Sequence, residues 1–326
     1  MERVAFGPTG LQVTKLCWGM AALGDMPETF AYEVPTDQAL ATVRAIFTTR
    51  GRAAQSPTVN FIDTAASYGD GESERRIGTV LRELGGLADG FVLATKADRN
   101  LQTGDFSGDQ IRRSVERSVR LLGLDRLQIV YLHDPEHTTF QAAMAPGGPV
   151  EVLLDFKRQG VIEHVGVAGG PIPLMNQFVE TGAFEAVISH NRYTLLNQAA
   201  APLFDAAARR GMAILNAAPY GSGILAKGPD AYARYAYQDA PAEMVERTRR
   251  LAAECSQVGV PLAAAALQFS MRDPRVTSTI VGISRPERIQ QTLELARVEI
   301  PEELWPRLAE YAAPLSAEDP EAQRWR

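Results

Sequence analysis

Cysteine is scarce in this sequence: Cys17 and Cys255 are the only two among 326 residues. Two thiols so far apart build neither a disulfide framework nor a zinc-finger ligand set, and a reducing, cytoplasmic compartment is the natural expectation. No apolar stretch approaches the roughly 18 residues that cross a bilayer, and the opening Met-Glu-Arg-Val-Ala-Phe-Gly lacks the apolar run of a secretory leader. Positive charge is not gathered into a stripe, since 33 Lys and Arg face 39 Asp and Glu for a net charge of −6. Nucleic acid and anionic membranes are therefore excluded as main partners. No G-x-G-x-x-G follows the first apolar run, and there is no Walker loop or G-x-S-x-G elbow.

What is present suits a large core, with 45% hydrophobic and 22% charged residues. Short apolar runs recur along the chain at Leu16–Gly19, Val59–Ile62, Phe91–Ala94, Gln128–Leu132, His164–Val167, Ala186–Ile188, Met212–Leu215 and Ser278–Val281. They are continuous rather than alternating, as expected for parallel strands covered on both faces. Amphipathic segments lie between them. In Gln110–Leu122, Ile111, Val115, Val119 and Leu122 repeat at helical spacing, with Asp109 as the expected N-cap and Gly123 as the stop. Val150–Arg158 ends at Gly160, Leu195–Arg210 at Gly211, and Ala242–Gln257 near Gly259.

Eight strands separated by helices predict an α/β fold, a closed (β/α)₈ TIM barrel forming one domain over 1–326, rather than a doubly wound sheet. The pieces around Gly7-Pro8-Thr9-Gly10 predict an N-terminal β-hairpin that plugs the barrel bottom. A long loop, Tyr220–Asp239, follows the seventh strand, on the side where barrel active sites are built. The polar tail 318–326 reads as loose.

Three successive strand ends carry chemistry. Asp63 ends the second strand with Tyr68 five residues on, Lys96 ends the third, and His133 ends the fourth. Taken singly, a cap, a core tyrosine, a surface lysine and a structural histidine are the plainer readings. As a set they make a proton-transfer site. A phenol with a pKa near about 10 exchanges protons poorly at neutral pH, and an adjacent ammonium favours its phenolate. A carboxylate holds the ammonium charged, and a histidine across the site hydrogen-bonds the reacting oxygen. His133 and His137 share i, i+4 spacing, but they follow a strand and enclose Pro135, so no metal site is expected. Cys255 reads as packing. Trp18, at the end of the first strand, either lines the substrate site or covers the core.

The sequence resembles the aldo-keto reductases over nearly its full length. The resemblance rests on Phe61-Ile62-Asp63-Thr64-Ala65, Tyr68-Gly69, Ser73-Glu74-Arg75-Arg76-Ile77-Gly78, Thr95-Lys96, Arg113-Ser114-Val115-Glu116-Arg117-Ser118, Leu121, Gly123-Leu124-Asp125 and the His133 segment. It implies that Asp63, Tyr68, Lys96 and His133 form a catalytic tetrad. Within the family the sequence is most similar to the aldose 1-dehydrogenase branch, through Leu132-His133-Asp134-Pro135-Glu136, Arg192-Tyr193-Thr194-Leu195-Leu196 and Asn216–Leu225. Such enzymes oxidise the anomeric carbon of a sugar to a lactone, with the residue matching Tyr68 as base.

The resemblance also implies a nicotinamide cofactor, NAD or NADP, with Gly19 and Met20 among its contacts. The family's Ser-Asn pair after the fifth strand is replaced by Val167-Ala168-Gly169-Gly170, which leaves His190 or Asn191 to meet the carboxamide. The usual stacking aromatic matches Ala217, and Tyr220 substitutes for it if the turn folds back. Gly221, Ser222, Gly223 and Leu225 match the pyrophosphate loop. Gly282, Ser284, Arg288, Gln291 and Thr292 match the adenosine end, Arg288 at the residue that meets a 2′-phosphate. A lysine usual near Gly282 is missing, which tilts the expectation towards NAD.

The function expected is hydride transfer between nicotinamide and an aldose or similar polar aldehyde, with Trp18, Tyr68 and His133 at the substrate. Two alternatives stand beside it: a general aldehyde or pyridoxal-type enzyme, and a nucleotide-binding redox-sensing subunit of the kind that channel β subunits represent. Gly24–Pro35, His137–Pro149 and Tyr220–Asp239 are the mouth loops expected to set specificity. A homo-oligomer is compatible with all of this.

Overall fold

The computed structural model describes residues 1–49 and 58–312. The tail expected to be loose lies outside them. A hairpin of β1 (Arg3–Ala5) and β2 (Gln12–Thr14) precedes the barrel strand β3 (Leu16–Gly19). Helices α1 (Pro27–Phe30) and α2 (Thr36–Thr48) then lead to β4 (Phe61–Asp63). Next come α3 (Glu72–Leu84), β5 (Val92–Ala97), α4 (Gly108–Leu122), β6 (Leu127–His133), α5 (Phe140–Met144), α6 (Pro149–Arg158) and β7 (Ile162–Gly169). They are followed by α7 (Ile172–Glu180), β8 (Ala186–His190), α8 (Ala201–Arg209) and β9 (Ala213–Ala217). The long interval holds α9 (Ile224–Lys227), β10 (Arg234–Tyr235) and β11 (Gln238–Asp239), then α10 (Ala242–Gln257) and α11 (Leu262–Arg272). Strand β12 (Ser278–Gly282) is followed by α12 (Glu287–Leu295) and α13 (Leu304–Ala309).

The eight strands close in the order β12-β3-β4-β5-β6-β7-β8-β9, all parallel. This is the (β/α)₈ barrel that the eight apolar runs predict. The hairpin closes its bottom, with Phe6 and Val13 buried against the interior residue Phe61.

Two local expectations change. The N-cap of α4 is Ser107, whose Oγ accepts from the Gln110 amide at 3.2 Å, while Asp109 sits inside the first turn. There its charge still meets the positive end of the helix. Residues 195–200 are not helical: the Thr194 amide donates to the Asn197 carbonyl at 2.7 Å, forming a turn, and α8 begins at Ala201 with a proline in its first turn.

Strand side chains alternate between the barrel interior and the helix layer. Cys17, Phe61, Val92, Ala94, Ile129, Tyr131, Ala168, Ile188, Leu215 and Ile280 form the interior cluster. Gly166 makes room for one of its members, since a Cβ there would lie 2.4 Å from the Tyr131 ring. One step of two towards the C-terminal end brings Gly19, Asp63, Lys96, His133, His190, Ala217 and Gly282 to the mouth, where all seven line one groove. Trp18 has the opposite parity. It is buried in the layer between strands and helices and covers the core, so it is not a substrate contact.

Candidate active site

Lys96, 2% exposed, is the hub of the mouth. Its Nζ donates to Asp63 Oδ2 at 2.6 Å, to the Thr64 carbonyl at 2.8 Å and to Tyr68 Oη at 3.0 Å. Burial by itself lowers an ammonium's pKa, but Asp63 and Tyr68 more than compensate and hold Lys96 charged. Burial also pushes the Asp63 carboxyl up, against the pull of Lys96. For Tyr68 the balance differs from the sequence expectation. Burial outweighs the Lys96 cation, and the phenol is held above its ordinary range. The site at rest therefore keeps the phenol proton.

Tyr68 follows β4 on a tight turn locked by close backbone packing. Gly69 has φ +61°, and a Cβ on it would lie 1.9 Å from the Gly24 carbonyl oxygen. Ser73 Oγ donates to the Met20 carbonyl at 2.9 Å and also meets Thr64 Oγ1 at 2.9 Å, joining α3 to both strand ends. Met20 serves this backbone frame; its side chain is buried in the core, outside the groove.

His133 stands edge-on to Tyr68, with ring centroids 5.8 Å apart. Its Nδ1 lies 2.6 Å from Asp98 Oδ1. Burial lowers the imidazole's proton affinity, but Asp134 and Asp98 together raise it above the usual value despite Lys96. Asp98 went unnoticed in the sequence, although it continues the inward alternation from Lys96. Ser67, Arg99, Asp134 and Tyr237 also line this end of the groove. The rim residues Asp134, Glu136 and His190 bring ligand atoms within 4.8 Å of one another, whereas His137 is exposed. Glu136 Oε1 accepts from the Gly170 amide at 3.0 Å, and a Cβ on Gly169 would lie 2.8 Å from Glu136 Oε2. This carboxyl thus fills the space left by the small residues ending β7, and burial pushes its pKa up to about 8.

The groove, of about 830 Å³, runs from the tetrad past Ala217 and Ala218 to α12. His190, Tyr220, Ser222, Gly223, Ser284, Arg288, Gln291 and Thr292 line it. Asn191, Gly221 and Leu225 do not. Asn191 is buried and accepts from Ser222 Oγ at 3.1 Å, Gly221 packs on Tyr235, and Leu225 belongs to a side core with Leu195 and Leu196. Tyr220 lies within electrostatic reach of Arg288, while the ring that comes near Tyr68 is Tyr237. Tyr237 packs edge-on against Phe30 at 5.9 Å, and Tyr232 Oη donates to the Phe30 carbonyl at 3.2 Å, so two mouth loops meet over the groove.

The far end is cationic. Lys227 sits 3.8 Å above the Tyr232 ring, and burial together with Arg288 and Arg285 lowers its proton affinity. Among the described residues none of these three cations is paired with a carboxylate. An elongated, phosphate-bearing ligand such as a nicotinamide dinucleotide fits this arrangement. Lys227 had no sequence signal of its own.

Residues 15–313 match the aldo/keto reductase family model. The chain is 33% identical to D-threo-aldose 1-dehydrogenase of Pseudomonas sp, over 94% of this chain and 96% of that protein. It is 30% identical to pyridoxal 4-dehydrogenase of Microbacterium luteolum, over 93% of this chain and 95% of the relative. A holo-form aldo-keto reductase from Bacillus halodurans superposes with a TM-score of 0.75 at 20% identity, covering 96% of this chain and 97% of its own. With its closed eight-stranded barrel and a family match spanning almost all of its length, the chain belongs to the aldo/keto reductase family.

Proposed function

We propose that the protein transfers hydride between a nicotinamide dinucleotide and the anomeric carbon of an aldose, giving the lactone in the oxidative direction. The observation that carries this reading is the Lys96 ammonium, bonded at once to the Asp63 carboxylate and the Tyr68 hydroxyl at the head of a groove with a cationic far end. Similarity to D-threo-aldose 1-dehydrogenase supports the choice of sugar. Ser222 and Gly223 would meet the pyrophosphate, His190 the carboxamide, and Lys227, Arg285 and Arg288 the adenosine phosphate end. When bound, the nicotinamide supplies the hydride acceptor at its ring carbon.

The chain's own residues manage the proton. In oxidation the anomeric C–H pair leaves as hydride, the hydroxyl proton passes to Tyr68 as phenolate, and the C–O bond becomes the lactone carbonyl. Lys96 stabilises the phenolate, and Asp63 keeps Lys96 charged and aimed. His133 donates a hydrogen bond to the reacting oxygen, supporting the negative charge that grows there. In reduction the roles reverse, and the protonated Tyr68 of the resting site is already the required acid. The two thiols, free and buried, suit a reducing compartment.

The test is spectrophotometric. NAD and NADP are offered with a panel of aldoses and reduced nicotinamide is followed at about 340 nm, the absorbance band of that ring, with lactone identified in the product. Sugar-dependent nicotinamide reduction with lactone formation is the expected result. The relative named pyridoxal 4-dehydrogenase favours a second reading, oxidation of an aromatic aldehyde. Turnover with pyridoxal and none with any sugar would select it, and tight cofactor binding without turnover would overturn both.

A further inference from the structure

We propose that Asp98 is a positioning residue for His133, fixing the ring with Nδ1–H turned inward and Nε2–H aimed at the reacting oxygen, and holding it as an imidazolium. The inference deepens the proposed hydride-transfer reading, on which it rests for its catalytic meaning. Its structural basis stands apart from any substrate.

Asp98 is 2% exposed, and its two oxygens are used differently. Oδ1 meets His133 Nδ1 at 2.6 Å, the short distance of a charge-assisted bond, while Oδ2 accepts the Ser67 amide at 2.8 Å. Its backbone is also anchored. The Asp98 amide donates to Ser114 Oγ at 3.0 Å and its carbonyl accepts from Gln110 Nε2 at 3.2 Å, both on α4. The Asp98 backbone is thus held by a helix and its carboxylate by a turn, independently of the contact with the ring. Ser67 Oγ, 3.3 Å from the same Nδ1, makes a second and weaker contact.

A carboxylate removed from water needs a counter-charge. Among the described residues, the group within ion-pair range of Asp98 is the His133 ring. The ring in turn faces charges on every side. Lys96 comes from β5, Asp63 and Tyr68 from β4 and its turn, Asp134 and Glu136 from the segment after β6, and His190 from β8. Asp134 Oδ1 lies 3.7 Å from Nε2. Lys96 is matched by Asp63, and Asp98 together with Asp134 favours positive charge on His133, against the cost of burial. An imidazolium donates a stronger hydrogen bond than a neutral ring, which suits an oxygen gaining negative charge.

The proposal is tested by nitrogen-15 NMR of the full-length protein labelled at histidine, with His133 assigned by loss of its signals in His133→Gln. At about pH 6.5, the ordinary histidine midpoint, both ring nitrogens of His133 should be protonated, with Nδ1–H far downfield. In Asp98→Asn its titration should fall by about 1 pH unit or more, the effect of removing an adjacent charge. A neutral ring in the unaltered protein, or a titration unmoved by Asp98→Asn, would overturn the proposal. The first measurement needs no variant at the tested position, so a poorly folding Asp98→Asn leaves it decisive.

A kinetic cycle adds a second reading. Asp98→Asn should lower kcat about tenfold or more, a part of what a positioned acid supplies, with KM little changed. The same substitution should cost almost nothing in a His133→Gln background. Equal losses in both backgrounds would mean that Asp98 serves the fold and does not act through His133. If no sugar or aldehyde turns over, the hydride-transfer reading fails while the NMR result still decides on Asp98.

Discussion

Lys96 Nζ and Tyr68 Oη are 3.0 Å apart in a pocket where burial decides the state of the phenol, while Asp63 and Tyr68 keep the ammonium charged against it. The phenol is held above its ordinary range in spite of the cation, so oxidation, which requires phenolate, should speed up as pH rises through neutral into alkaline conditions. Lys96→Met removes the opposing charge and should push the rising limb to still higher pH, with kcat near neutrality falling by on the order of 10²–10³. The substitution also strands the buried Asp63 carboxylate, so the comparison is best made in Asp63→Asn/Lys96→Met. A kcat profile for oxidation that superposes on that of the unaltered protein would remove Lys96 from the proton path.

The turn that presents Tyr68 is sensitive for a different reason. Gly69 combines a left-handed φ of +61° with backbone contact to Gly24, so Gly69→Ala adds both torsional strain and a clash that no rotamer relieves. We expect a loss of about 2 kcal/mol or more in stability. Activity should fall further than Tm predicts, because the phenol moves with the turn. Full activity together with an unchanged Tm would show that the Gly24–Gly69 contact is loose in solution.

The barrel was legible because its strands are buried on both faces and therefore read as continuous apolar runs. The gathering of Asp63, Tyr68, Lys96 and His133 was legible because strand ends share one mouth. Inside-or-outside parity was not: Leu16–Gly19 is buried throughout, so its pattern cannot tell Trp18 from Cys17, and only the register against β4 and β12 does. Asp98 did have a signal, since the alternation that points Lys96 inward also points residue 98 inward. The protonation state of Tyr68 had none, because the sequence names the neighbouring cation but not the depth of burial that outweighs it. Lys227 reaches the groove end through the fold of a long loop, which no local pattern encodes.

Behind the site, Glu74 offers a test of stability alone. Fully buried, it accepts from Thr95 Oγ1 at 2.5 Å, and burial raises its pKa from 4.5 to about 7. The folded chain thus holds a proton that the unfolded chain releases at lower pH. The benefit is complete below the unfolded value and is lost as pH rises towards the folded one, leaving a deficit on the order of 3 kcal/mol above it. Glu74→Gln keeps the hydrogen-bond acceptor without the charge. It should raise Tm by several degrees at about pH 8 and hardly at all at about pH 4. An equal shift at both pH values would mean that packing and not ionisation sets the effect.

The opposite end of the groove offers a test of cofactor choice, where Arg288 enters from the first turn of α12 and Lys227 from α9. Clustered cations without carboxylate partners repel one another, and an added phosphate dianion relieves that repulsion while forming charge-assisted bonds. NADP carries this extra phosphate and NAD does not. Arg288→Ala should therefore raise KM for NADP about tenfold, equivalent to roughly 1.4 kcal/mol, and KM for NAD far less. Lys227→Ala should act in the same direction, and added salt should narrow the difference between the cofactors. If each substitution weakened NAD and NADP equally, the cluster would be reading the shared pyrophosphate, and selectivity would have to arise from neutral contacts such as Gln291 and Thr292.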